Sequence, residues 1–102
     1  MENKITIDEL KEIHSTDKVI VLDVRKPSEY LEGHIPNALN IPVDDLELRI
    51  AEIPNNKLIV TTCGRGGGRA RRAQTLLEEK GLSVKWLEGG SLGYLDTLAE
   101  NP

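Results

Sequence analysis

One stretch limits what this chain can fold into more than any other, the passage from Leu58 to Lys80. Leu58-Ile59-Val60 is an unbroken apolar run of the kind that forms a buried strand. Thr61-Thr62-Cys63-Gly64-Arg65-Gly66-Gly67-Gly68-Arg69-Ala70 follows it, and a helical pattern then runs from Ala70 to Lys80. A strand turning through a glycine-rich loop into a helix is half of a βαβ unit, so a parallel sheet is expected. The loop also holds the only cysteine among 102 residues.

The residue types of this loop each suggest a task. Gly64, Gly66, Gly67 and Gly68 accept backbone angles that other residues resist, so their N–H groups can turn inward around one point. Such a nest, closed by a helix N-terminus, attracts anions. The same field favours thiolate over thiol, so Cys63 is expected to be nucleophilic. Arg69, in the first turn of the helix, adds a forked and permanently charged donor, and Arg65 lies inside the loop. The loop suits a thiolate attacking an anionic or electron-poor substrate, or a charged group carried on the sulfur. A lone cysteine is more often a small buried hydrophobe. The position of Cys63 at a strand-to-loop edge, beside glycine and arginine, argues for chemistry.

Elsewhere the pattern alternates between strand and helix. Ile5-Thr6-Ile7 reads as a short edge strand, and Thr6 with Glu9 forms a capping box that opens a helix with Leu10 and Ile13 on its apolar face. His14 ends that pattern and is given no role. Val19-Ile20-Val21-Leu22 is a strand buried on both faces, with Asp23 and Arg25 at its carboxyl end. Sites in open parallel sheets lie at such ends. Asp23 is read first as a residue that ties down loop backbone or pairs with Arg25, and second as a functional acid.

Pro27 to Leu31 reads as one helical turn stopped by Gly33. His34 is assigned a hydrogen-bonding structural role above a catalytic one. Ala38-Leu39-Asn40-Ile41 is a third strand, and Val43, Leu46, Ile50 and Ile53 recur at helical spacing before the turn Pro54-Asn55-Asn56. In the helix after the loop, Ala70, Ala73, Leu76 and Leu77 face the core and Gly81 caps the end. Val84-Lys85-Trp86-Leu87 is the last strand, with Trp86 in the core or at its rim. Leu92, Leu95, Leu98 and Ala99 form one face of a final helix.

Three pieces of this sequence together resemble the rhodanese family. The cysteine loop closed by Arg69 is similar to that family's active-site loop. Leu22-Asp23-Val24-Arg25-Lys26-Pro27-Ser28-Glu29-Tyr30 followed by Gly33-His34-Ile35-Pro36-Asn37-Ala38-Leu39-Asn40-Ile41-Pro42 is similar to its long central signature. Leu87-Glu88-Gly89-Gly90 before a terminal helix is the third piece. The resemblance runs from Ile5 to Leu98. It implies a three-layer α/β rhodanese-like domain over residues 1–102, with a mostly parallel five-stranded sheet and helices on both faces. It implies a sulfurtransferase in which Cys63 carries a persulfide, taking sulfur from a donor such as thiosulfate and passing it to cyanide or a thiol, including a partner protein's thiol. It also favours the structural reading of Asp23.

The loop departs from the family in one respect. Arg69 lies six residues after Cys63, whereas the common rhodanese loop is one residue shorter. The longer Cys-x5-Arg spacing resembles related phosphatases and arsenate reductases. Against phosphatase chemistry, Ala70 rather than a hydroxyl residue follows Arg69, and the three consecutive glycines are unlike polar phosphatase loops. Without a second cysteine, no internal thiol can resolve an arsenate adduct. A non-catalytic module binding an anion or a partner is the third reading, and the retained cysteine argues against it.

Composition narrows the surroundings. The net charge of −4 and the lack of interleaved aromatic and basic residues argue against nucleic acid. Arg65, Arg69, Arg71 and Arg72 nevertheless crowd one stretch, which would draw in small anions. A single cysteine excludes an internal disulfide and suits a reducing compartment. No apolar run is long enough for a membrane span or a signal peptide, so a cytoplasmic protein without metal or cofactor is expected.

Overall fold

A computed structural model describes residues 3–99. The chain runs β1 (Lys4–Ile5), α1 (Ile7–Ile13), β2 (Val19–Asp23), α2 (Pro27–Glu32), β3 (Leu39–Asn40), two 3₁₀ turns (Val43–Asp45 and Ile50–Glu52), β4 (Leu58–Thr62), α3 (Gly68–Glu79), β5 (Val84–Leu87) and α4 (Gly90–Ala99). The five strands form one sheet in the order β1-β5-β4-β2-β3. Every pairing is parallel. β4 is therefore central, flanked by β2 over its whole length and by β5, and both its faces are covered.

The two apolar clusters follow from the period of two along each strand. On β2, Ile20 and Leu22 pack into one cluster while Val19 and Val21 pack into the other. On β4, Ile59 and Val60 part in the same way. One cluster is closed by Ala70, Ala73 and Leu77 of α3 with Val43, Leu46 and Ile53 of the 3₁₀ region. The other is closed by Leu10 of α1 and Tyr94 of α4. The result is the expected three-layer α/β architecture. Among the described residues no helix is long and apolar enough to cross a membrane.

Local signals behaved as their chemistry requires. Thr6 Oγ1 accepts the Glu9 N–H at 3.2 Å and the Glu9 carboxylate accepts the Thr6 N–H at 2.9 Å, completing the capping box. α3 ends in a Schellman arrangement: the Leu82 N–H reaches the Leu77 carbonyl and the Gly81 N–H reaches that of Glu78, with Gly81 at φ +85°. His34 donates from Nδ1 to the Tyr30 carbonyl at 2.8 Å and stacks on the Tyr30 ring, the structural role expected of it.

Several expectations fail in instructive ways. The segment from Val43 to Ile53 is not a continuous α-helix but two separate 3₁₀ turns. Its apolar stripe is real, since Val43, Leu46 and Ile53 are buried, but a 3₁₀ turn also brings residues three apart to one face. The third strand keeps only Leu39 and Asn40, and the edge strand only Lys4 and Ile5, because Thr6 is already the helix cap. α3 begins at Gly68, two residues before the expected start. In α4 the buried face is Gly90, Ser91 and Tyr94, whereas Leu92 and Leu98 are exposed. The small residues allow α4 to lie close to its neighbours: Ile7 Cδ1 would be 3.2 Å from a Cβ at Gly93. Tyr94 fills the interior and its hydroxyl meets His14 Nδ1 at 3.1 Å.

Candidate active site

Cys63 follows β4 directly and sits at the carboxyl end of the central strand. The loop from Cys63 to Gly67 then delivers the chain to α3. Two devices fix this loop from outside. The Thr61 hydroxyl donates to the Ala70 carbonyl at 2.8 Å, which ties the strand to the first turn of α3. The start of α4 supplies the second: the N–H groups of Ser91 and Leu92 donate to the carbonyls of Cys63 (2.8 Å) and Gly64 (3.2 Å). N–H groups at the start of α4, which lack partners within the helix, serve here as donors to the backbone of the Cys63 loop.

Close approach makes Gly90 indispensable. A Cβ there would lie 2.1 Å from the Gly64 oxygen and 2.9 Å from that of Cys63, and its φ of +69° already disfavours a side chain. Within the loop only Gly67 has the same character. Its φ is +83°, and a Cβ would meet the Trp86 ring at 2.7 Å. Gly64, Gly66 and Gly68 have no such requirement; added Cβ atoms would find nothing closer than Arg69 Nη2 at 3.9 Å from Gly64. The expectation that all four glycines are needed for unusual backbone angles thus holds at one position, because the sharp change of direction is concentrated at the N-cap of α3.

Beneath the loop lies a buried polar network. Arg25 donates from Nε and Nη2 to both oxygens of Asp23, the shortest contact being 2.7 Å, and Nη2 also donates to the Gly33 carbonyl at 2.7 Å. Both side chains are almost wholly buried, at 3% and 0% exposure. Asp23 further accepts the Arg25 N–H and the Ser91 hydroxyl, and the Ser91 hydroxyl lies 3.1 Å from that of Thr62. Asn40 Nδ2 donates to the carbonyls of Asp23 and Arg25. Hydrogen bonding to Asp23 holds the Arg25 guanidinium charged beyond the ordinary arginine range. Asp23 and Arg25 therefore join the ends of β2 and α2 to the start of α4, as the structural reading of Asp23 supposed.

The arginines of the loop region are already partnered. Arg69 makes a two-pronged contact to Glu29, Nη1 to Oε1 at 2.8 Å and Nη2 to Oε2 at 3.1 Å. Arg65 pairs with Asp96 at 2.9 Å and Arg72 with Asp44 at 2.9 Å, both on the surface. Arg71 lies over the Trp86 ring at 5.3 Å. Bonding by Arg69 draws the Glu29 carboxyl down to about 2, with the Lys26 N–H and Arg25 assisting. Glu29 in turn raises the affinity of Arg69 for its proton, and the Cys63 sulfur adds to the same field. Arg69 thus lies within electrostatic reach of the thiol.

The fold brings together Cys63, Gly64, Arg65, Gly66, Gly67, Gly68 and Arg69 with Asp23 and Arg25 below them. Sequence reasoning missed Glu29, Thr62, Ser91 and the tight contact at Gly90. Glu29 and Gly90 stand in motifs already noted, but their partners are 40 and about 26 positions away, beyond any local pattern. Among the described residues no group of three or more His, Cys, Asp or Glu side chains is placed to hold a metal ion.

Comparison with known proteins bears on the family and the fold. The family model described as Rhodanese-like domain matches residues 6–97. A sulfurtransferase of Allochromatium vinosum is 33% identical over 96 residues, covering 92% of this chain and 89% of that protein. A rhodanese-related protein of Thermoplasma volcanium has a crystal structure similar at a TM-score of 0.85, with 29% identity over 93% of this chain and 92% of that one. The reduced CoADR-RHD protein of Bacillus anthracis gives a TM-score of 0.87 at 35% identity, over 97% of this chain but 17% of that chain. The chain likewise spans 42% and 58% of two further curated relatives.

Proposed function

Because this chain belongs to the rhodanese-like domain family, we propose that it is a sulfurtransferase that carries sulfane sulfur on Cys63. The observation that carries this reading is the placement of the sole cysteine at the carboxyl end of the central strand, within the field of Arg69. The Cys63 thiolate attacks the outer sulfur of a donor such as thiosulfate. A Sγ–S bond forms, the donor's S–S bond breaks, and sulfite leaves with the electron pair. Cyanide or a thiol then takes the outer sulfur from the persulfide and restores the thiolate. Sulfite is a stable anion, so the step needs no acid to protonate a leaving group. The 3% exposure of Cys63 protects the persulfide from water and oxidants. A reducing compartment such as the cytoplasm keeps the thiol available.

The Cys-x5-Arg spacing favours a second reading, cleavage or reduction of a tetrahedral oxyanion. The pairing of Arg69 with Glu29 weighs against it, since that fork is the natural clamp for an oxyanion and a carboxylate already occupies it. Mass spectrometry after incubation with thiosulfate tests the choice. One added sulfur on Cys63, removed by cyanide as thiocyanate and absent in Cys63→Ser, is the expected result. Turnover of an aryl phosphate with no mass shift would overturn it.

A further inference from the structure

A second cavity, of about 250 Å³, lies at the opposite end of the sheet from Cys63. It opens where the chain passes from α1 into β2, beside Lys57 at the amino end of β4. Cys63 follows the carboxyl end of the same strand. The 6 steps of chain from Lys57 to Cys63 span roughly 20 Å at the rise of a strand. The described lining holds no residue of the cysteine loop.

The lining divides into a wall and a rim. Val19, Ile20 and Val21 of β2 form the apolar wall. The rim is polar and carries Lys57, His14, Ser15 and Asn37. Lys57 is half-buried, and among the described residues nothing pairs with its ammonium, whereas Lys4 reaches Glu88 at 3.0 Å. His14 spends Nδ1 on the Tyr94 hydroxyl at 3.1 Å; with that hydroxyl as donor, Nε2 carries the ring proton and is a donor itself. The Ser15 hydroxyl and the Asn37 amide also lack protein partners among the described residues. At the end of α1 the Ile13 carbonyl is already covered, since it accepts the Thr16 N–H and the Thr16 hydroxyl. Among the described residues no Asp or Glu lines the cavity. Asp17, next in sequence to Thr16, is exposed and lies outside it.

This combination selects an occupant. A half-buried ammonium has lost part of its hydration, and a carboxylate replaces it with charge-assisted hydrogen bonds. A cation brought here would meet Lys57 with no acid to offset the repulsion. The volume, at about 30 Å³ per water-sized group, takes a molecule of several heavy atoms. A bare inorganic anion would leave the wall of β2 uncovered.

We propose that this cavity is a second binding site, for a short aliphatic carboxylate. Its charged end meets Lys57, with His14, Ser15 and Asn37 as the remaining donors, and its arm lies against Val19, Ile20 and Val21. Cys63 takes no part in it, so sulfur transfer stands or falls separately.

The test follows the backbone amide shifts of the full chain by NMR during titration with butyrate, acetate, butyramide and sulfate. Butyrate is expected to move the amides of Ser15, Thr16, Asn37 and Lys57 in a saturable way. Acetate should bind roughly ten-fold more weakly for its missing methylenes. Butyramide, of the same size without the charge, should bind about five-fold more weakly, the upper end for an ion pair still touched by water. Lys57→Gln should weaken butyrate by the same factor and leave butyramide unchanged, and Lys85→Gln, exposed and outside the cavity, should change neither. No saturable shift at the cavity, or shifts in the cysteine loop alone, would overturn the site. Butyramide binding as tightly as butyrate, or Lys57→Gln binding butyrate as the wild type does, would overturn the carboxylate. Sulfate binding as tightly as butyrate would overturn the apolar arm. The comparison of ligands uses the wild type, so it decides the matter whatever Lys57→Gln does to folding.

Discussion

Two ion pairs near the loop behave as opposites. Asp23 and Arg25 are at most 3% exposed, and Arg25 Nε and Nη2 both find acceptors inside the protein. Arg65 and Asp96 each expose 59% of their side chains and meet through a single contact at 2.9 Å. The charges and distances are similar, yet water stands around one pair and is excluded from the other. Removing a partner from the buried pair strands a charge in a low-dielectric interior. Removing one from the surface pair returns a charge to solvent. The lesson is that the inner pair ties β2, α2 and α4 together around the cysteine, whereas the outer pair sits in solvent and ties little. Arg69–Glu29, at 38% and 35% exposure, stands between the two.

Breaking the inner side should have the largest effect. Asp23→Ala leaves Arg25 buried and uncompensated, and is expected to cost about 3–5 kcal/mol in urea unfolding. A loss below about 1 kcal/mol would place the inner pair with the surface pairs and erase the contrast. Next comes the backbone that covers the network. Gly90→Ala must relieve a 2.1 Å approach to the Gly64 oxygen in a left-handed conformation, and is expected to cost about 2–3 kcal/mol with a displaced loop. Unchanged melting and unchanged alkylation of Cys63 would show that α4 does not clamp the loop.

The intermediate pair is read by pH. Its folded carboxyl lies at about 2, below the ordinary 4.5. A depressed acid contributes stability above the unfolded value and loses it as pH falls through the folded one. Wild-type stability should therefore fall between about pH 4.5 and 2, and Glu29→Gln should lose that part of the slope. Parallel pH profiles for the two proteins would remove Glu29 from its intermediate place. The smallest effect belongs to Arg65→Ala, expected to change stability by about 0–1 kcal/mol and to fade with added salt. A cost comparable to that of Asp23→Ala would show that exposure does not govern these pairs.

Much of this molecule was legible because the relevant physics is local. The capping box needs Thr6 and Glu9, three positions apart, and the end of α3 needs only Gly81 after an apolar face. The β-branched run at Val19 needed burial on both faces, and the sheet supplied it. The same local reasoning misjudged Val43 to Ile53, where an apolar stripe is shared by two helix types whose hydrogen bonding the pattern does not distinguish. It also chose the wrong face of α4, because leucines were weighed above glycine and serine. In that helix close approach to the Cys63 loop and the burial of Tyr94 outweigh the extra apolar area of Leu92 and Leu98.

By itself the sequence determined the parallel α/β architecture, the strand that carries Cys63, and a structural reading of Asp23 that left loop backbone and Arg25 both open as its partner. Each follows from apolar period, turn chemistry, or residues two apart. Tertiary structure alone decided that Glu29 occupies Arg69, that Ser91 completes the Asp23 network, and that Gly90 seats α4 on the carbonyls of Cys63 and Gly64. Those contacts join residues from about 26 to 68 positions apart. A charged side chain takes whichever opposite charge the packed elements bring within reach, and that choice exists only once helices and strands have closed around the loop.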